Sequence, residues 1–366
     1  MADIVIAGAG VAGAAAALTA ARAGARVLLL GPVADAAGRD KPGESLSASA
    51  GAVLEAIGCA DLLAAGPHRE NRVTYSAWGL PALAQRHAAG HPEGNGFVLD
   101  RPAFEAALAD AVTAAGIDWR REAALAAHAT GGGWAVTLAS GEEVQGTFLI
   151  DATGRSATLA RHHARRFRAD RLVACWAMLA RSDVEVEPTA ASLIEAVPTG
   201  WWYASLLPDE RLSLAFFSDP DLLPRGISRD PALWRQMADE TQFIRRWLES
   251  ATFSIDAPPR LASAATTWLG PAGHMDPDTG LGWAAAGDAA CGLDPLSSHG
   301  LATALWTGQR AALAGLAAVG GDPAPLAAYA QTLAGAVTDF LLQRSRIYGL
   351  ERRWPDAPFW ARRQRF

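Results

Sequence analysis

The chain has 366 residues, 50% of them hydrophobic and 19% charged, and carries a net charge of −6 with an isoelectric point near 5.8. That composition suffices for a large core and excludes a disordered chain. The acidic balance disfavours general nucleic-acid binding.

In chain order, Ile4 to Ala7 reads as a short buried strand, Val11 to Ala23 as an alanine-rich helix, and Arg26 to Leu30 as a second buried strand. Pro102 to Ala115 has helical spacing (Phe104, Leu108, Val112) with proline at its start. Trp134 to Leu138 and Val144 to Ile150 read as strands joined by a turn at Gly141. From Leu172 the texture becomes strand-rich. Val173 to Leu179 is one strand, and Trp201 to Leu207 and Arg211 to Phe217 flank Pro208-Asp209-Glu210 as a hairpin. A helix is predicted over Ala232 to Leu248. Gly282 to Gly287 returns to a buried strand, followed by helices from Gly300 to about Ala318 and from Pro325 to about Leu350, then an Arg/Trp-rich tail. The order implies an α/β fold: a nucleotide domain assembled from separated segments, with an antiparallel sheet inserted between them.

The N-terminus enters its first strand directly, without the basic region or cleavage site of a signal peptide. The apolar run near Leu313 is interrupted by Gly315, Gly320 and Gly321, which argues against a membrane span. Cys59, Cys175 and Cys291 are widely spaced with no CxxC, a pattern that fits a reducing cytoplasm. His162-His163 lacks a third ligand at useful spacing, so no metal site is expected.

Gly8-Ala9-Gly10-Val11-Ala12-Gly13 is a GxGxxG loop between a strand and a helix. Gly8 permits the tight turn, Gly10 lets the backbone approach a pyrophosphate, and Gly13 lets helix and strand pack closely. The helix N-terminus adds N–H donors and partial positive charge. The acid that usually ends the second strand and holds the ribose is replaced by Gly31-Pro32. Asp35, Arg39, or backbone and water are the alternatives, and the departure weakens a primary NAD reading most. Two more strand ends carry motifs: Asp151-Ala152-Thr153-Gly154-Arg155, and Gly287-Asp288 followed by Asp294-Pro295-Leu296-Ser297-Ser298-His299-Gly300. Three such ends fit a long cofactor better than a mononucleotide.

Together with Gly43-Glu44-Ser45, these motifs resemble the superfamily of FAD-dependent monooxygenases and flavin halogenases, and they span Gly8 to Gly300. The resemblance implies a discontinuous Rossmann-like FAD-binding domain (1–70, 96–170 and 275–322), an inserted antiparallel β-sheet substrate domain (71–95 and 171–274), and C-terminal helices with the tail (323–366). Carried over, Asp288 would bind the ribityl chain, and Pro295 to Gly300 would pass beside the flavin ring. The helix from Gly300 would aim its N-terminus at the ring. Asp151 and Gly154 would lie near the phosphates or ring channel, Arg101 beside the FAD, and Gly43 and Ser45 in a flavin-side loop. His299 and Glu44 are the candidate proton-transfer groups, with a loop hydrogen bond and a loop anchor as their respective alternatives. Trp201, Tyr203 and Phe216 are the candidate pocket aromatics.

Family halogenases relay their oxidant through a lysine beyond the GES-type motif. Here the only lysine, Lys41, precedes it, and arginine cannot replace a neutral amine. Lys41 reads as a solvated loop charge or as an FAD phosphate contact. The resemblance therefore implies hydroxylation of an aromatic ring through a flavin C4a-hydroperoxide, with O2 as co-substrate and NAD(P)H or a partner reductase as electron source. The tail and the Gly200-Trp201-Trp202-Tyr203 stretch further resemble flavoprotein maturases of tryptophylquinone-type oxidases, which hydroxylate a tryptophan in a partner polypeptide. Two other readings remain open: reduction of polyprenyl double bonds, and a non-catalytic flavin-binding assembly factor. The arginines at 161, 165, 166 and 168, and those at 352, 353, 362, 363 and 365, are either solvated charge or a docking surface.

Overall fold

Alternation of short β-branched and leucine runs with alanine-rich helices places a parallel sheet at the centre of the chain's first half. The structure, a computed structural model, describes residues 1–32, 40–87, 95–183 and 185–364. Asp35 and Arg39, the nearby substitutes for the ribose acid, and Arg365 lie outside the described residues. Strand Ala2–Ala7 is central and pairs in parallel with Val27–Leu30 on one side and Glu143–Asp151 on the other. Gly282–Ala285 extends the sheet in parallel beyond Glu143–Asp151. Register aligns Ala7 with Asp151 and Asp151 with Ala285, so three strands drawn from distant segments end at one line. In open α/β sheets the crevice beyond the carboxyl ends of the strands is where ligands bind.

Helix Val11–Arg22 is buried along ten of its twelve residues. It is mostly alanine because it is closely packed, above all against helix Gly300–Val319, which itself also contacts strands Glu143–Asp151 and Gly282–Ala285. The fold class is thus α/β, as the element order implied.

The second sheet runs in the order Arg260–Ser263, Val173–Leu179, Leu212–Ser218, Gly200–Leu206, Ser192–Val197, Val73–Ala77, Ala84–His87. Its pairs are antiparallel except Ser192–Val197 with Val73–Ala77, which are parallel. That exception arises because Val73–Ala77 comes from an earlier stretch of chain and is not joined to its neighbour by a hairpin. One face packs Trp202 and Phe216 against Trp234, with ring centroids 4.9 and 4.6 Å from Trp202. The other face carries Trp201, Tyr203 and Phe217.

The single helix predicted over Ala232 to Leu248 is two helices, Pro231–Asp239 and Phe243–Ser250. The break has a distant cause. The carboxylate of Glu195, on strand Ser192–Val197, accepts from the backbone N–H groups of Gln242, Phe243 and Ile244 at 2.7–2.9 Å. These are the orphan donors of a helix start, so Glu195 initiates a second helix where periodicity alone continues the first.

The tail is also ordered as a short helix, Pro358–Gln364, with Phe359 and Trp360 fully buried. Arg363 pairs with Asp219 at 2.6 Å, Arg362 with Asp219 and Asp221 at 2.8 and 2.7 Å, and Arg353 with Glu351 at 2.6 Å. Arg362 and Arg363 therefore fasten the tail helix to the body, and Arg353 also donates to the Ala77 and Ala196 carbonyls at 3.2 and 3.4 Å, so these three do not make a free basic surface. Among the described residues no helix is long and apolar enough to cross a membrane.

Candidate active site

The glycine loop shows a division of labour. Gly8 has φ of +106°, and a Cβ there would meet the Ala152 carbonyl at 2.2 Å. A Cβ on Gly13 would meet the Gly8 carbonyl at 1.7 Å. Gly8 and Gly13 are thus packing requirements of the turn itself. Gly10 differs: nothing lies within 4 Å of its Cβ position, and it opens onto a cavity of about 550 Å³.

That cavity gathers most of the candidates. Gly10, Gly43, Glu44, Ser45, Arg101, Gly154, Asp288, Pro295 and Gly300 line it, and so do Trp201 and Tyr203 of the second sheet. The three strand ends, the GES loop and the aromatic sheet face therefore meet around one space. The N-terminal turn of helix Gly300–Val319 borders it with Gly300, Leu301 and Ala304. A long, partly anionic, partly aromatic group fits such a space: glycine and a helix start at one part, a tryptophan–phenylalanine wall at another.

Besides Gly8 and Gly13, three candidates sit elsewhere. Asp151 is fully buried, and its carboxylate accepts from the backbone of Thr153, Leu159 and Ala160 at 2.7–2.9 Å. It shapes the loop after the strand and does not border the cavity. His299 is exposed at the start of helix Gly300–Val319, between lining residues Ser298 and Gly300 but not itself lining. Phe216 faces the opposite side of its sheet, and the wall is instead Phe217, stacked on Trp201 with centroids 4.1 Å apart. Register explains this. Trp201 stands opposite Phe217 and Trp202 opposite Phe216, and directly opposed residues share a face. Counting outward from the turn at Asp209 gives the same pairing, so the signal was present in the sequence.

Arg155 is not among the sequence's candidate site residues, whereas Lys41 reads there as a solvated charge or an FAD phosphate contact. Arg155 borders the cavity, places Nε 3.2 Å from Asp288 and donates to the Ala265 carbonyl at 2.7 Å. Lys41 lines it too, paired with Glu105 at 2.5 Å, and Arg101 holds the other oxygen of the same carboxylate at 2.5 Å. Lys41 is thus half-exposed but tethered, alongside Arg101 and Gly43. Burial would raise the Glu105 carboxyl, but Arg101 and Lys41 outweigh it and hold it below the usual range.

Glu44 is almost wholly buried. Burial raises its carboxyl above the ordinary glutamate value of 4.5, opposed by hydrogen bonds and by the charge of Arg101. Ser213 donates to Oε2 at 3.3 Å, while Oε1 has no hydrogen-bond partner among the described residues. Tyr203 lies beside this carboxyl, and burial together with it pushes the phenol above its usual range. Behind Trp201 lies a buried polar cluster. Tyr348 and Arg344 of helix Ala324–Leu350 both hold Asp294, at 3.0 and 2.8 Å, and Arg344 also reaches Asp170 at 2.7 Å.

Residues 3–167 match the FAD dependent oxidoreductase family model. That segment is just under half of the chain, and the cofactor is FAD. Among curated proteins, the chain is 28% identical over 303 residues to LodB of Marinomonas mediterranea, which is named as an FAD-dependent oxidoreductase; the match covers 80% of the chain and 77% of the relative. Among solved structures, the peptidyl tryptophan dihydroxylase QhpG, essential for tryptophylquinone cofactor biogenesis, superposes with a TM-score of 0.75 at 24% identity. That alignment covers 99% of this chain and 78% of QhpG. The myxobacterial chondrochloren halogenase CndH superposes with a TM-score of 0.85 at 21% identity, covering 100% of this chain and 86% of its own. The chain accordingly shares its fold with QhpG and CndH.

Proposed function

We propose that this chain is an FAD-dependent monooxygenase that hydroxylates an aromatic ring, with a tryptophan of a partner polypeptide as the substrate class. The observation that carries the reading is the single cavity in which Gly10 and Asp288 meet the Trp201–Phe217 wall. When bound, FAD supplies the two-electron reduction of dioxygen that such a reaction needs. The chain's own residues do the rest. Gly10, Lys41 and Arg101 would hold the phosphate-bearing part, with Lys41 and Arg101 already oriented by Glu105. Asp288, oriented by Arg155, would take the hydroxyls of the ribityl chain. Pro295, Gly300 and the helix start would lie toward the ring, where a helix N-terminus favours developing negative charge. Asp151 acts indirectly, by fixing the loop that presents Gly154 and Arg155.

Trp201, Tyr203 and Phe217 offer an apolar face for an aromatic substrate and keep water from the reacting atoms. Glu44, buried and short of one partner, is the better placed of the two proton-transfer candidates, because His299 does not line the cavity. The only lysine is committed to Glu105 beside Arg101, which agrees with hydroxylation over halogenation. The likeness to QhpG favours a polypeptide substrate, and the electron source is NAD(P)H or a partner reductase. The test is incubation of the FAD-loaded protein with a reductant, ¹⁸O2 and tryptophan-containing peptides. Mass gain of one or two labelled oxygens on the indole is expected. Halogen incorporation from added chloride or bromide, or saturation of a prenyl substrate with no oxygen transfer, would replace this reading.

A further inference from the structure

Glu44 borders two spaces. One is the large cavity. The other is a narrow crevice bordered by Asp40, Lys41, Asp100, Arg101, Asp209 and Arg211 among others. The crevice has a volume of about 20 Å³, which exceeds the ~10–15 Å³ that one water needs. Charged side chains line it beside Leu99, Pro102, Met178, Leu207 and Pro208, and it is partly exposed: Arg211 pairs with Asp40 at 2.9 Å and with Asp209 at 2.7 Å, with its own side chain 37% exposed. Glu44 thus stands as a partition between an apolar-walled cavity and a charged opening. A buried carboxyl oxygen left without a partner costs free energy unless a ligand, a water or a proton satisfies it.

We propose that Glu44 carries protons between the cavity and solvent, taking them up from water in the Asp40–Arg211 crevice and releasing them at the Tyr203–Ser213 side. The exchange is balanced and involves no electrons. The carboxylic acid loses its O–H proton to a group in the cavity, and the carboxylate regains one from crevice water. The groups facing Glu44 are suited to this. Tyr203 stays a neutral phenol, because burial and the neighbouring carboxyl raise it. Ser213 can donate to the carboxylate or pass a proton by rotating its hydroxyl. Burial favours the protonated acid, and the hydrogen bonds and the charge of Arg101 favour the carboxylate. Lys41 and Glu105 are engaged with each other and Arg101, and Asp40 and Asp209 with Arg211, which leaves Glu44 as the carboxyl with an uncommitted oxygen at this partition.

This inference stands on the geometry of the two spaces and does not require an aromatic substrate. Infrared difference spectra of the FAD-free protein test it first. One carboxylic-acid C=O band should persist above the pH at which ordinary glutamates ionise (about 4.3), shift promptly in D2O, and be absent from Glu44→Gln. The FAD-loaded protein, reduced with dithionite and mixed with oxygenated buffer without organic substrate, tests it second. Flavin reoxidation should show a pH inflection matching the titration of that band. Glu44→Gln should abolish the inflection and slow the step by on the order of 10²-fold, and added formate should restore part of the rate. Survival of the band in Glu44→Gln, or an unchanged pH profile, overturns the proposal. Should Glu44→Gln fail to fold, Ser213→Ala decides. Loss of a donor to the charged form must move the band's titration to higher pH, and an unmoved titration overturns the proposal equally.

Discussion

The indole nitrogen of Trp201 donates to the phenolic oxygen of Tyr348 at 3.1 Å, and that hydroxyl donates onward to Asp294 at 3.0 Å. One buried run of hydrogen bonds therefore ties the aromatic wall to the loop that begins at Asp294, through a helix near the end of the chain. Tyr348→Phe keeps the ring packing but leaves the Trp201 donor without an acceptor. A loss of about 1–3 kcal/mol is expected in equilibrium unfolding, with FAD still bound. Retention of full stability would show that the indole finds another acceptor.

The glycine loop separates folding from binding. Gly13→Ala should impair folding, because the new methyl meets the Gly8 carbonyl. Gly10→Val should fold normally, since its Cβ meets nothing within 4 Å and the residue already has an extended backbone. Its side chain would occupy the space a pyrophosphate needs, so FAD affinity should fall by at least ~10-fold, about 1.4 kcal/mol. Circular dichroism and titration with FAD read the two effects independently.

These contrasts mark what the sequence made legible. The three motif-bearing strand ends were readable because glycine spacing and buried runs are local signals, and parallel register then had to bring them together. Phe217 was readable too, but only by counting register from Asp209 rather than grouping every second residue from Leu212. The two helices after Pro231 were not readable, since the group that divides them, Glu195, lies on a strand remote in sequence. Asp151 looked like a ligand because it ends a strand beside glycine. Its use as a cap for Leu159 and Ala160 depends on a loop path that no local pattern specifies.

Acid should release the C-terminal helix early. Burial alone would raise Asp219, but Arg363 and then Arg362 hold it below the ordinary carboxylate range. A carboxyl depressed in the folded state contributes stability above its unfolded pKa and loses it as pH falls through the folded one. Arg363→Ala, which leaves a buried carboxylate short of its partner, should cost about 3–5 kcal/mol at neutral pH, with the difference from wild type shrinking below pH ~4. Urea unfolding at the two pH values measures this, and a pH-independent difference would assign the loss to packing.

Glu44 has the opposite sign. Its carboxyl is raised in the folded state, so its contribution is complete below the ordinary glutamate pKa and is lost as pH rises through the raised value. The FAD-free Glu44→Gln protein should therefore lose less thermal stability than wild type between mildly acidic and neutral pH. Parallel melting curves for the two proteins would place the stability penalty elsewhere.

Trp78, Trp201, Tyr348 and Trp360 lie with ring centroids 5.2–6.2 Å apart, and Trp354 adds a further indole 6.3 Å from Trp360. Indoles held this close in fixed, asymmetric orientations couple their electronic transitions. The chain thereby carries a label-free optical gauge of its own assembly: near-ultraviolet dichroism should report whether helix Pro358–Gln364 is seated, long before any assay of chemistry is run.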